Sequence, residues 1–210
     1  MKEHLKVLVG ENERILYEGK PDKKCFLFES IFNPMLPFAL IWAIIDFSII
    51  GISFSQSEGQ PIYFLIPFFL LHLMPVWIYL AGALFSVRKY RNTYYIVTDK
   101  SIYVSNGMFS KTFNTKPFAE LSHVDLHRGI FDQMFNVGDV VVTSNNFTAV
   151  PGSNGYSRAR VAGITISSIS NYSEVYQIVK KLQTDIYTDV MYPNDLRPKE
   201  NHGYNTEYKG

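Results

Sequence analysis

The chain of 210 residues carries 20 Lys and Arg against 19 Asp and Glu, a formal net charge of +1, with 47% hydrophobic and 19% charged residues. That balance excludes a disordered chain and a strongly basic nucleic-acid binder, and a single cysteine excludes an intramolecular disulfide framework and any Cys-rich zinc site. The averages conceal a segregation, because every Lys and Arg lies outside two long apolar blocks.

Residues 1–30 are a polar N-terminal segment. From Ile31 to Phe54, 17 of 24 residues are apolar, and from Ile62 to Val87 the count is 21 of 26. As helices these blocks would run about 36 and 39 Å at ~1.5 Å per residue, against a hydrocarbon core of roughly 30 Å. Residues 31–87 are therefore expected to form a transmembrane hairpin with spans at 31–54 and 62–87. Two buried core helices are the soluble alternative, but soluble cores seldom use that length without a polar face. Pro34 and Pro37 fall in the entry turn of the first span, while Pro67 and Pro75 lie inside the second and should bend it.

Orientation follows from the flanks, since cytoplasmic ends collect Lys and Arg. Lys20, Lys23 and Lys24 precede the first span and Arg88, Lys89 and Arg91 follow the second, whereas the connecting loop Ser55 to Pro61 has none. The expectation is a multi-pass protein with both termini cytoplasmic. No cleavable signal peptide is expected, because the apolar run starts late, is too long and lacks a small-residue cleavage site. Cys25, beside the first span, offers a position for reversible acylation or a plain inert thiol.

Residues 88–189 read as a second unit. Tyr94 to Thr98 and Ser101 to Ser105 are β-type runs joined across Asp99-Lys100, and Asn106-Gly107 reads as a hairpin turn. Further strands are expected at Met108 to Thr115, Leu121 to Arg128, Asp139 to Ser144 and Val161 to Ser168, an antiparallel succession without alternating helices. The long segment Asn145 to Arg160 between the last two should be exposed and mobile. Val175, Ile178, Val179, Leu182 and Ile186 recur at the spacing of one helix face, and Asn171 with Glu174 suggests a capping-box start. Residues 190–210 are too polar to pack and should be a disordered tail.

The order of Glu13, Ile15, Leu16 and Pro21, two apolar spans, Tyr95 to Asp99, Ile102, Gly107, Leu121, Val124, Phe135, Gly138, Val140 to Val142 and a closing helix resembles the bacterial pleckstrin-homology-like membrane family. The resemblance covers about residues 11 to 188. It departs from the family pattern at Gln133-Met134-Phe135-Asn136, where the family tends to have Arg-x-Phe-Gly. It implies an α+β fold: a seven-stranded bent antiparallel sheet or partly open barrel capped by the C-terminal helix, with residues 13–19 adding a strand from before the hairpin. It also implies a bacterial inner-membrane location.

His123, Asp125 and His127 alternate along a strand and so share a face, leaving Val124 and Leu126 on the other. Two imidazoles and a carboxylate are ligands for a divalent transition metal, but no fourth is identifiable, and the polar outer face of a strand explains them more simply. Asp132 and Asp139 are the nearest extra carboxylates. No nucleophile elbow, His-Glu-x-x-His or phosphate-binding loop is present, so neither an enzyme nor a cofactor is expected. The unit has 11 basic and 8 acidic residues, too dilute a charge for strong head-group recognition, although Arg158 and Arg160 could touch anionic lipid or a partner. Within the spans, Asp46 and His72 lie at similar depth, where an ionisable group is costly; they serve either as a static pair locking the helices or as a proton or cation relay.

The residues together point to a membrane-tethered binding or scaffold module for a protein, peptide or lipid surface, its partners being the bilayer and a protein or second copy of the chain. A transport or export component using Asp46 and His72 is the alternative, and a metal-dependent enzyme on His123, Asp125 and His127 a weaker one.

Overall fold

The computed structural model describes residues 2–56, 65–151 and 157–191. A short helix α1 (Lys2–Lys6) and strand β1 (Ile15–Gly19) precede the helices α2 (Lys23–Ile31), α3 (Met35–Gln56), α4 (Leu65–His72) and α5 (Met74–Asn92). Strands β2 (Tyr94–Thr98), β3 (Ser101–Asn106) and β4 (Thr112–Pro117) follow, then a 3-10 turn at Phe118–Glu120 and β5 (Leu121–His127). Helix α6 (Ile130–Phe135), the long strands β6 (Gly138–Pro151) and β7 (Ser157–Ile169), and helix α7 (Tyr172–Met191) complete the chain. The fold is α+β, with two antiparallel sheets of order β1-β2-β3-β4 and β5-β6-β7.

Strand alternation assigns the two faces of the first sheet. Tyr95 and Val97 of β2, with Ile102 and Val104 of β3, point into the main core, where they meet Val140, Val142, Ile164 and Ile166 of the second sheet. Helix α7 closes this core with Val175, Val179 and Leu182, one stripe of a helix laid on the sheet. Tyr94, Ile96 and Tyr103 point the other way, and α1 covers them with the fully buried Leu5. Every residue of β2 is therefore buried, the signature of a strand covered on both faces. Tyr95 also joins the two sheets, its hydroxyl 2.8 Å from Ser167 Oγ.

Polar groups fix the connections. Thr98 Oγ1 accepts the backbone N–H groups of Lys100 (3.2 Å) and Ser101 (2.9 Å), closing the β2–β3 turn, and donates to Glu13 Oε2 at 2.6 Å. Glu13 Oε1 accepts the Tyr103 hydroxyl at 3.0 Å, so one carboxylate ties the approach to β1 onto β2 and β3. Asp99 exchanges two bonds with the Arg14 backbone, at 3.0 and 3.1 Å. Gly107 after β3 has φ +133, and a Cβ there would run into the Ser110 carbonyl oxygen, so only glycine fits this turn.

Several expectations require correction. The strand expected at Met108 to Thr115 lies at Thr112–Pro117, because residues 107–111 are spent on a wider turn. The segment Asn145 to Arg160 is not a long loop. Phe147 to Pro151 pair with Ser157 to Val161 and extend β6 and β7 into one hairpin, of which only 152–156 fall outside the described residues. Asn145, Asn146 and Thr148 on one strand and Ser157, Arg158 and Arg160 on the other interrupt any apolar run, so its pairing was hidden. The first apolar block starts later than expected, after a break at Phe32–Pro34, and then runs as the single helix α3; the second bends by 57° at Leu73, between α4 and α5, as its internal prolines led one to expect. Helix α7 runs on to Met191, and the rest of the expected tail, 192–210, lies outside the described residues, as does 57–64 of the expected external loop.

Candidate functional site

Two constellations of ionisable groups stand out, and the first lies among the apolar helices. Among the described residues helix α3 is the one helix long and apolar enough by itself to cross a membrane, and α4 with α5 qualifies if the bent pair is taken as one span. Both carry large apolar side chains outward, among them Ile44, Phe47 and Ile52 on α3 and Phe68, Leu71 and Leu84 on α4 and α5, all more than half exposed. Asp46 is the exception, fully buried on α3. His72 Nδ1 at the end of α4 lies 2.8 Å from its Oδ1 and 3.1 Å from its Oδ2. The imidazole is stacked between Trp42 and Phe68, with ring centroids 5.2 and 5.3 Å away.

The α4–α5 break explains why this geometry holds. Pro75, at the start of α5, has no N–H to offer the preceding turn, and Val76 N–H turns back to Leu73 O at 2.9 Å. The chain's two tryptophans serve the carbonyls around the break: Trp42 Nε1 donates to His72 O at 2.9 Å and Trp77 Nε1 to Leu70 O at 3.1 Å. Asp46 and Trp42, one turn apart on α3, thus hold the side chain and the backbone of the same histidine.

The second constellation lies where α2 meets the sheet domain. Asp22 N-caps α2, accepting Cys25 N–H at 2.9 Å, and its own N–H bonds Ser168 O. Cys25 is fully buried, with its thiol 3.6 Å from Asp132 Oδ1, and Glu29 follows one turn later on the same face. Asp132 caps α6 by accepting Gly129 N–H at 2.8 Å, and is itself buried. Ligand atoms of Cys25, Glu29 and Asp132 all lie within 4.8 Å of one another. Asp139 is held beside them by Ser168 N–H at 2.7 Å.

The electrostatics follow from crowding acids in a desolvated corner. Burial, with Glu29 and Asp132 adding repulsion, pushes the Cys25 thiol up to about 12. Burial likewise raises the carboxyl of Glu29, helped by Asp132 and Asp139, while His127 opposes it. Asp139 is raised for the same first reason, with the Ser168 N–H opposing. The full burial of Cys25 withholds the thiol from an acylating enzyme in this conformation.

The trio His123, Asp125 and His127 is exposed along β5, with Val124 buried behind it and Leu126 40% exposed near the strand end. Among the described residues it is not the trio whose ligand atoms converge. The converging set was missed because its members are distant in sequence; the readable signal was Cys25 and Glu29 four residues apart on a helix, with Asp132 and Asp139 already conspicuous.

Basic residues gather where α2 and α5 pack together. Lys20 lies over the rings of Tyr90 and Tyr94, each at 5.9 Å, and Lys89 over Phe26 at 5.7 Å, while Lys23, Lys24, Arg88 and Arg91 are exposed. Arg158 and Arg160 stand on β7 opposite Val150 and Thr148.

A four-stranded and a three-stranded antiparallel sheet, closed by a C-terminal helix, define a pleckstrin-homology-like domain. The family described as bacterial PH domain matches residues 47–183, more than half of the chain, and the protein belongs to it. No curated protein and no solved structure gives a significant match. The departure from the family pattern at Gln133 to Asn136 has a local explanation: Asn136 occupies the left-handed position after α6, with φ 53, that a glycine would otherwise take.

Proposed function

We propose that the protein is a non-enzymatic module in which α3 and the bent α4–α5 pair anchor a PH-like domain to the cytoplasmic face of the inner membrane, both termini being cytoplasmic, where the domain binds a protein or peptide. The observation that carries this reading is the band of outward-facing large apolar side chains on α3, α4 and α5, bounded by Lys23, Lys24, Arg88, Lys89 and Arg91. A soluble protein would have to cover that band.

The connection to the domain supports the same reading. Only Thr93 separates α5 from β2, so the domain sits directly at the end of the helix. Phe109, in the turn after β3, lies edge-on to Phe85 of α5 with centroids 4.9 Å apart. Ile130 and Met134, one turn apart on α6, are 83% and 61% exposed beside the aromatic cluster of Phe28, Phe32 and Phe131 that leads into α3. Such side chains suit the interfacial layer of a bilayer. Partner recognition would use the free edge of β4, an exposed strand at the end of its sheet, by addition of an extended peptide.

The test is topology. Reporters fused after Tyr208 should behave as cytoplasmic and one inserted at Glu58 as external; a translocated C-terminal reporter, or a full-length protein that remains soluble without detergent, would overturn the proposal. A transport or export role is the second reading, favoured by the Asp46–His72 pair alone.

A further inference from the structure

We infer that the PH-like domain is itself seated in the bilayer, through the turn between β3 and β4 and through the outer face of α6, in addition to being tethered by the apolar helices. Depth is read along α5, whose last turns carry Arg88, Lys89 and Arg91. Phe109, in the β3–β4 turn, packs on Phe85, one turn membrane-ward of those charges and about 10 Å from the helix end at Asn92, at ~1.5 Å per residue. The turn is built into that position. Asn92 Nδ2 donates to Gly107 O at 3.1 Å, Ser105 Oγ donates to Asn92 O at 3.0 Å, and the positive φ of Gly107 turns the chain back. Met108 and Phe109 are left exposed, with the exposed Lys111 beside them.

Helix α6 reaches a similar depth from α2. Phe26, early in α2, meets Tyr90 and lies under Lys89, whereas the carbonyl of Ile31 at the end of α2 accepts the hydroxyl of Tyr79, nine residues membrane-ward of Arg88, at 3.0 Å. Phe131 and Phe135 of α6 stand edge-on to Phe28 in the second half of α2, with centroids 5.3 and 5.5 Å away, so α6 also lies beyond the basic flank. Its Ile130 and Met134 are exposed beside this aromatic cluster, whose Phe32 leads into the apolar band of α3. Continuity with that band commits the surface to lipid: a bilayer that covers α3 and α5 reaches both places, and Lys111, with Lys23 and Lys24, is placed for its anionic headgroups. The inference rests on the membrane reading and adds an orientation to it. Gly19, Tyr94, Asn106 and Thr112 mark the bilayer end of the first sheet and Thr98, Ser101 and Pro117 the far end, so the edge of β4 runs from the membrane outward.

The experiment places single spin labels on the full chain in nanodiscs of phosphatidylcholine and phosphatidylglycerol, at Ser110→Cys, Met134→Cys, Ile44→Cys and Ala119→Cys, with wild type and its buried Cys25 as the labelling background. All four positions are exposed, and Ser110→Cys leaves the Phe109–Phe85 contact intact. Collisions with oxygen and with a water-soluble nickel chelate should put the Ser110 and Met134 labels about 5–10 Å inside the headgroup boundary, the Ile44 label deeper, and the Ala119 label, at the far corner between β4 and β5, in water. Should either domain label unfold the chain, Lys111→Cys and Ile130→Cys, equally exposed, carry the test. A Ser110 or Met134 label in water while Ile44 is in lipid overturns the docking and leaves the anchor standing; an Ile44 label in water overturns the anchor as well. Shielding of either domain label from both collision partners would mark a protein contact in place of lipid, and a lipid-exposed Ala119 label the wrong orientation; each overturns the inference.

Discussion

His72 is held twice from α3: its ring nitrogen lies 2.8 Å from the carboxylate of Asp46, and its carbonyl accepts the Trp42 indole at 2.9 Å. A pathway for protons needs a group free to exchange them, whereas this histidine is also packed between two aromatic rings and is part of the α4–α5 break. The arrangement favours a lock. Replacing both partners by amides, Asp46→Asn with His72→Gln, should then keep a polar link and preserve abundance and partner binding, while each single change leaves one group unpaired at a cost of about 1–3 kcal/mol. Expression level and thermal stability in detergent check this. A well-expressed double variant that loses a pH- or potential-dependent phenotype would promote the transport reading.

The tryptophan contribution separates in the same way. Trp42→Phe keeps the ring against His72 but deletes the donor to its carbonyl, and should cost about 1 kcal/mol. Restoring the missing donor on the other side of the break by Pro75→Ala should reduce the 57° bend. Spin-label distances between α4 and α5 would report a straighter pair, and no change would show that packing rather than proline sets the angle.

The Gly107 turn gives a prediction for the sheet domain. At φ +133 an L side chain is strained, and a Cβ also meets the Ser110 carbonyl. Gly107→Ala should therefore destabilise by about 1–3 kcal/mol, measured by denaturant unfolding. Gly51→Ala on α3, where a Cβ meets nothing within 4 Å, is the matched control and should be neutral or better.

Elements written in strong local code were legible in the sequence. Tyr94 to Thr98 is an unbroken run of aromatic and β-branched residues that stops at Asp99, and its bounds are those of β2. The α7 stripe was equally plain. Elements whose identity depends on partners were not. Helix α1 has five residues, too short to be stable alone, and exists because Leu5 seals the outer face of β2 and β3. The far halves of β6 and β7 hold each other by backbone pairing. Depth and charge brought Asp46 and His72 forward, because an ionisable residue in an apolar run is conspicuous. The Cys25 cluster is assembled from α2, α6 and β6, and no local window contains it.

That cluster yields a pH dependence whose sign can be worked out. Glu29 has a raised carboxyl, first through burial and then through Asp132 and Asp139. A group raised in the folded state contributes stability that is fully present below its unfolded pKa and lost as pH rises through the folded value. Wild type should thus lose stability above the ordinary carboxylate range, and Glu29→Gln, which cannot ionise, should be the more stable at pH 8 by a few degrees in midpoint, the difference vanishing in acid. Cys25 repeats the logic higher up: with the thiol at about 12, its contribution is lost between the ordinary value of 9.0 and that pH, so Cys25→Ala should flatten the alkaline limb. The same shift leaves the folded thiol roughly 10²–10³ times less ionised at pH 9 than an ordinary one. Alkylation by iodoacetamide at that pH should be correspondingly slow and should accelerate to the free-thiol rate on unfolding. Rapid labelling of the folded chain would show that Cys25 is neither buried nor held by its acidic neighbours.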